Sequence, residues 1–329
     1  MKPAIVGIAG LSLSSAEAEL LQRERPAGII LFARNIKDPE QLAALMHALR
    51  QVLPENPLLM VDQEGGRVAR LRPPHWRDHP PARTIGTLHA RDPKAGLRAA
   101  WLTGALIGAE CLQAGFNLVA APVLDVAAAD GHDVIGDRAY SADPEAVGAL
   151  GAAVAHGLLA AGVQPIGKHA PGHGRARADS HLELPVLDDV SPADLLPFRL
   201  NAWLPWLMTA HIRYTALDMQ HPATQSPAII GGVIRALGFD GVLTTDDLAM
   251  QALTGTPGER AAAALAAGCD VALHCSGVLA ETADVLARTP QASPQTLARL
   301  ARAAAAAADA RIAVDPIALA DERAALLPA

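Results

Sequence analysis

Eight short apolar runs recur along the chain, separated by stretches in which apolar positions return every three or four residues. The runs are "AIVGIAG" at 4–10, "GIILFA" at 28–33, "PLLMVD" at 57–62 and "FNLVAAPVLDV" at 116–126, followed by "VQPIGKH" at 163–169, "LPWLMTAH" at 204–211, "GVLTTDD" at 241–247 and "DVALHCS" at 270–276. Most are apolar throughout instead of alternating, as parallel strands covered on both faces are. The stretches between them carry helix punctuation. In "SPAIIGGVIRALGF", Ser226 is placed as N-cap, Pro227 at the first helical position and Gly238 at the C-terminal cap, with Ile230, Val233, Ile234 and Leu237 on one face. "DPEQLAALMHALRQVL" and "DPEAVGALGAAVAHGLLAAG" follow the same plan.

Strand and helix alternate without a break in composition. The pattern therefore predicts an α/β protein, a (β/α)8 TIM-type barrel occupying residues 1–329 as a single domain. An open, doubly wound sheet is the rival, and the absence of G-x-G-x-x-G after the first run weakens its dinucleotide-binding form. On a barrel, chemistry sits at the C-terminal ends of the strands. Polar residues collect there: Asp62, Asp125, Lys168 with His169, His211, and Asp246 with Asp247 end, or nearly end, five of the runs. Two of the connections that follow are long, 62–96 and 126–143. A third, "KHAPGHGRARADSH" at 168–181, strings His169, His173 and His181 through Pro and Gly that exclude regular structure. Long structured loops on a compact scaffold usually bind or catalyse. Pro171, Gly172 and Gly174 are expected to be joints that let segment 170–181 move.

Composition narrows the function. The 329 residues are 51% apolar, enough for a large core, and the net charge of −7 with no Lys/Arg cluster argues against a nucleic-acid partner. No run has the length of a membrane span, and Ala303–Ala308, flanked by Arg299, Arg302 and Arg311, reads as a surface helix. The first apolar run leads into "SSAEAELLQRER", a capped amphipathic helix and not an export signal, so a cytoplasmic location is expected. Cys111, Cys269 and Cys275 have neither a zinc spacing nor an even disulfide set, and read as reduced core thiols.

No nucleophile elbow and no phosphate-binding P-loop is present. Carboxylates and histidines remain, and two mechanisms use them on a barrel. Metal-assisted hydrolysis would draw on His169, His173, His181, His211, Asp246 and Asp247, but Pro171 and Gly172 break the helix that would put the first two on one face. Glycoside hydrolysis needs a carboxylate close under the anomeric carbon and a proton donor on the leaving-group oxygen. Asp246, held at a strand end, suits the nucleophile. His181 suits the donor, with Asp179 beside it to fix its tautomer and stabilise its charged form. The bland alternative is that Asp179 only makes an Asx-type turn.

"LMVDQEGGRVARLR", "VIGDRAY", "KHAPGHGRARADSH" and "TTDDLAM", together with "GIILFARNIKDPEQL" and "HPATQSP", resemble glycoside hydrolase family 3. Within it they are similar to the bacterial β-N-acetylglucosaminidase (β-hexosaminidase) branch of NagZ type, from about residue 5 to 275. The resemblance implies a retaining, two-step hydrolysis without metal or other cofactor. Asp246 would be the nucleophile, His181 the general acid/base and Asp179 its orienting partner, while Asp62, Arg70, Arg138, Lys168 and His169 would bind the hydroxyls of an N-acetylglucosamine ring. His173 is expected to organise the loop, His211 to line the pocket, and Asp247 to hold backbone at the helix entrance. Two positions depart from the family's usual residues: Ala170 stands where Phe is usual and Thr245 where Ser is more frequent. The expected protein is a monomeric, cytoplasmic exo-β-N-acetylglucosaminidase of peptidoglycan recycling, acting on 1,6-anhydro-N-acetylmuramyl saccharides or peptides. Its rivals are a relative with another sugar specificity, a phosphorolytic variant, a metal hydrolase and a silent glycan-binding barrel.

Overall fold

The structure, a computed structural model, describes residues 1–327 apart from 130, 181 and 314. Eight parallel strands form a closed barrel: β1 (Lys2–Gly7), β2 (Pro26–Leu31), β3 (Leu58–Val61), β4 (Leu118–Val119), β5 (Gln164–Ala170), β6 (Trp206–Thr209), β7 (Val242–Asp247) and β8 (Val271–His274). Closure is made between β1 and β8, with Ala4 opposite Ala272, Ile5 opposite Leu273 and Val6 opposite His274. The predicted (β/α)8 barrel is therefore the fold, and each strand falls on one of the eight apolar runs. The fourth run is the least regular. β4 keeps two residues because Pro122 has no N–H to give the ladder, and pairing resumes at a bridge between Val123 and Lys168.

Inward-facing side chains fill the barrel as a layer of their own, including Ile5, Ile30, Met60, Leu118, Ile166, Trp206, Val242 and Val271. Trp206 is fully buried, and its indole N–H donates to Gln164 Oε1 at 2.8 Å, so its one polar atom is satisfied. A buried Trp of this kind contributes about 3–5 kcal/mol to a core. Helix Pro294–Ala310 closes the N-terminal end: Ala303 and Leu300 join the barrel cluster, while Arg299 pairs with Asp240 and Asp270 just ahead of β7 and β8. Within this helix only Thr296, Ala303 and Ala307 are buried, as a surface helix requires. The larger apolar cluster lies between strands and surrounding helices.

The first helix, Ser15–Glu24, carries a reciprocal capping box: Ser14 Oγ accepts from the Glu17 amide and Glu17 Oε2 accepts from the Ser14 amide. The helix expected after Ser226 begins and ends where its caps predict, but it is not uniform. A π turn over Ile230–Ile234 separates an α start at Pro227–Ile229 from a 3-10 finish at Arg235–Leu237. Its Gly231–Gly232 pair weakens regular helix there by about 1 kcal/mol per glycine. Outside the barrel, Val186–Leu187 and Arg213–Tyr214 make a two-stranded parallel ribbon. Among the described residues no helix is long and apolar enough to cross a membrane, and the three cysteines are free and buried.

Candidate active site

A cavity of about 170 Å³ opens at the C-terminal ends of the strands, lined by Asp62, Arg70, Arg138, Lys168, His169, His173, Asp246 and Asp247 among apolar Ile30, Phe32, Met60, Met208, Met250 and Leu273. A water needs roughly 10–15 Å³ on such a scale, so the space suits one sugar ring and its substituents. The structure thus brings together Asp246 and the five residues expected to bind hydroxyls, contributed by β5, β7 and the loops after β3 and β4.

Five charged side chains form a continuous chain of ion pairs in and behind one wall. Arg70 Nη2 meets Asp62 Oδ2 at 2.7 Å, and Asp62 Oδ1 meets Lys168 Nζ at 2.7 Å. Lys168 also meets Glu64, whose carboxylate takes Arg138 in a two-point contact at 2.8 and 2.8 Å. Burial works against the charge of Lys168, but Asp62 and Glu64 outweigh it and hold its pKa above the ordinary lysine value. Glu64 has the same balance in reverse: desolvation raises its pKa, and Arg138 and Lys168 bring it down well below the carboxylate range. Lys168 and Glu64 are therefore both charged at neutral pH. Asp62 and Arg70 bridge each other, yet both also face the cavity. Arg138 pairs with Glu64 with only 11% of its side chain exposed, while its neighbour Asp137 pairs with Arg67.

His169 is oriented from behind. Its Nδ1 lies 2.7 Å from Asp125 Oδ2, and Asp125 Oδ1 accepts the backbone amides of His169 at 3.2 Å and His173 at 2.7 Å. Desolvation opposes ionisation of Asp125, but the adjacent His169 and His173 and these hydrogen bonds hold its pKa below the usual value. Asp125 thus fixes the ring from behind, with Nδ1 turned toward the carboxylate and Nε2 on the opposite side, 3.5 Å from Arg138 Nη2. Asp125 itself is fully buried.

Asp246 stands near the end of β7, and its Oδ1 accepts the Asp247 amide at 2.8 Å. Burial raises its pKa, but His169, His211, that amide and Lys168 together bring it below the ordinary aspartate value, so it is ionised at neutral pH. Asp247 holds backbone as expected, accepting the amides of Ala249 and Cys275. Thr245, in place of the more frequent Ser, is fully buried, and its hydroxyl accepts the Leu273 amide at 2.9 Å. His211 is a correction. Expected in the pocket wall, it is fully buried and absent from the lining; its Nε2 donates to the Asp247 carbonyl at 3.0 Å and its Nδ1 lies 2.7 Å from the Thr224 hydroxyl. It braces the β7 end from behind.

The loop after β5 packs its first residues tightly: 170–174 are all buried. The Gly172 carbonyl accepts the Tyr214 hydroxyl at 2.6 Å, and φ at Gly172 is +134°, where a side chain is strained. A Cβ on Gly174 would stand 1.7 Å from the Val126 carbonyl oxygen. Close approach and a left-handed backbone require these glycines. His173 organises the loop as expected, through its amide on Asp125 and Nε2 near the Ser180 hydroxyl at 3.1 Å. Ala170 is fully buried in the large apolar cluster, so the position usually held by Phe is enclosed here around a smaller side chain. Asp179 lies on this loop with its carbonyl accepting the amides of Leu182 and Glu183. His181 lies outside the described residues.

Sequence reasoning did not assign Glu64 or the bracing role of Asp125. Glu64 follows Asp62 by two residues in "DQEGGR", so an acid in a glycine turn beside a predicted sugar ligand was the available signal. Among the described residues no three His, Cys, Asp or Glu side chains converge on a metal-sized position.

Burial depresses His173 to about 4, with His169 adding to the effect and Asp125 and Asp246 opposing it; burial also lowers His79, His211 and His274. These folded-state values lie below the 6.5 of an unfolded histidine, so between the two the unfolded chain binds more protons. Their stabilisation is complete above pH ~6.5 and is lost as pH falls, for His173 as pH approaches 4, where the loss from that residue alone is roughly 3 kcal/mol. Thermal melts from pH 7.5 to 4.5 should show Tm falling by several degrees below pH 6.5; a flat profile would contradict the buried neutral histidines.

Comparison with known proteins identifies the family. Residues 5–305 match the family described as "Glycosyl hydrolase family 3 N terminal domain". A β-hexosaminidase of Alkalilimnicola ehrlichii is 42% identical over 309 residues, covering 91% of this chain and 88% of that protein. A β-hexosaminidase of Thiobacillus denitrificans is 43% identical over 287 residues, covering 83% and 78%. Among solved structures, NagZ from Neisseria gonorrhoeae in complex with N-trifluoroacetyl-D-glucosamine superposes with a TM-score of 0.87 at 31% identity, over 100% of this chain and 98% of that one. The charged wall, the carboxylate at the end of β7 and a match running through nearly the whole barrel lead to one conclusion: the chain belongs to glycosyl hydrolase family 3 and is a glycoside hydrolase.

Proposed function

We propose that the protein is an exo-acting, retaining β-N-acetylglucosaminidase that releases terminal N-acetylglucosamine from 1,6-anhydro-N-acetylmuramyl saccharides or peptides during cytoplasmic peptidoglycan recycling. The observation that carries the reading is the pairing of Asp246, ionised and held by the Asp247 amide, with a ligand wall built from Asp62, Arg70, Arg138, Lys168 and His169 in one sugar-sized cavity. The glucosamine derivative bound by the Neisseria protein supports the choice of sugar.

In the first step the Asp246 carboxylate attacks the anomeric carbon while His181 gives its proton to the departing oxygen, forming a covalent glycosyl–enzyme and a free aglycone. In the second, His181 takes a proton from water, whose oxygen displaces Asp246 and restores the starting configuration. Asp179 would hold His181 in its working tautomer and stabilise the imidazolium. The wall residues would fix the ring through charge-assisted hydrogen bonds to its hydroxyls. The apolar side, Met208, Met250 and Leu273, offers a surface for the acetamido methyl.

An aryl N-acetyl-β-glucosaminide assayed beside the matching β-glucoside tests the reading. The glucosaminide should be favoured by about 100-fold or more in kcat/KM, with sugar released in the β configuration and a rate indifferent to chelators. Equal rates on both glycosides would reject the assignment, and a glycosyl phosphate as product would replace hydrolysis by phosphorolysis.

A further inference from the structure

We infer that Glu64 is a positioning residue, which presets the two cations that grip the sugar without touching it. The inference rests on the proposed sugar site. Arg138 and Lys168 both line the cavity; Glu64 does not. Its side chain is only 7% exposed and lies behind that wall, against a second, smaller cleft with Gly65, Ala121, Pro122 and Tyr140.

Both carboxylate oxygens are engaged. Oε2 accepts Arg138 Nε at 2.8 Å, and Oε1 accepts Arg138 Nη2 at 2.8 Å together with Lys168 Nζ. Arg138 Nη1 donates to the Val134 carbonyl at 3.0 Å. A guanidinium fixed at three nitrogens keeps its remaining N–H groups in set directions. The Lys168 ammonium, held by Asp62 and Glu64, likewise has one donor left. Two like charges converge here on one carboxylate, which offsets their repulsion and determines where the remaining donors point. The carboxylate is itself carried by a tight turn: the Glu64 amide donates to the Val68 carbonyl at 2.9 Å, and Gly65 and Val68 form a bridge.

Glu64→Gln retains the shape of the side chain and removes its charge, whereas Glu64→Asp retains the charge and shortens the reach. We expect Glu64→Gln to lower kcat/KM on an aryl N-acetyl-β-glucosaminide by about 100-fold, chiefly through KM. The loss should be the same for good and poor leaving groups, because the grip on the ring is blind to the aglycone. Glu64→Asp should recover part of it. Binding of N-acetylglucosamine, followed by calorimetry, should weaken in parallel. In an Arg138→Met/Lys168→Met background the same Glu64→Gln change should cost less than about 3-fold, since the groups it acts through are gone. A KM within 2-fold of wild type, a kcat loss with lowered Tm at unchanged KM, or an undiminished effect in the Arg138→Met/Lys168→Met background would overturn the inference. Wild-type protein that neither cleaves the glucosaminide nor binds N-acetylglucosamine would instead reject the proposed function on which it rests.

Discussion

Asp246→Ala is expected to lower kcat on an aryl N-acetyl-β-glucosaminide by a factor on the order of 10⁴ or more, the range seen when a hydrolase loses its nucleophile. The cause is specific to the position. Asp246 is presented by the last residues of β7, with its carboxylate tied to the next amide and its strand end braced by His211 and Thr245. The substitution should leave sugar binding within a few-fold, because the hydroxyl ligands belong to other elements. Azide, small enough to enter the vacated space, should restore turnover and yield a product of opposite anomeric configuration. Undiminished cleavage by Asp246→Ala, or loss of binding equal to the loss of rate, would remove Asp246 from the nucleophile's role.

His181→Ala is expected to have the second largest effect, and its size should depend on the substrate. For a saccharide leaving group, which cannot depart without a proton, the loss should be about 10²–10⁴-fold, the usual contribution of a general acid. For an activated phenol the first step needs little help, so loss should appear in the second step, where water must be deprotonated. A glycosyl–enzyme that accumulates on Asp246, seen as a burst of phenol and as added mass on the protein, is the expected signature. The pH profile should also lose the limb that reports the acid/base. A uniform loss across leaving groups would mean that His181 only shapes the loop.

Much of the scaffold could be read before the structure. Continuous apolar runs identify buried parallel strands because both barrel faces exclude water, and the caps at Ser14 and Ser226 are local enough to be read from neighbours. Residues ending strands were legible as a site for the same reason: the barrel converts sequence position into spatial position. What lay beyond reach depends on contacts between distant segments. Glu64 meets Arg138 across 74 positions, and Asp125 meets His169 across 44; no periodicity encodes either. His211 was misplaced because a position just past a strand end does not reveal which way its side chain turns. Pro171, Gly172 and Gly174 suggested freedom because glycine permits it, but the same residue is equally required where backbones nearly touch.

Closure between β1 and β8 has a consequence for how this scaffold tolerates change. An open sheet ends in strands whose unpaired amides and carbonyls invite another chain to pair, and such edges are guarded by charge, proline or cover. A closed barrel has no such edge, and the short ribbon of Val186–Leu187 with Arg213–Tyr214 offers only two residues per strand. Loops around the mouth can thus lengthen, shorten or exchange residues without uncovering a template for aggregation. Recognition of new glycosides and resistance to self-association are governed by separate parts of the molecule.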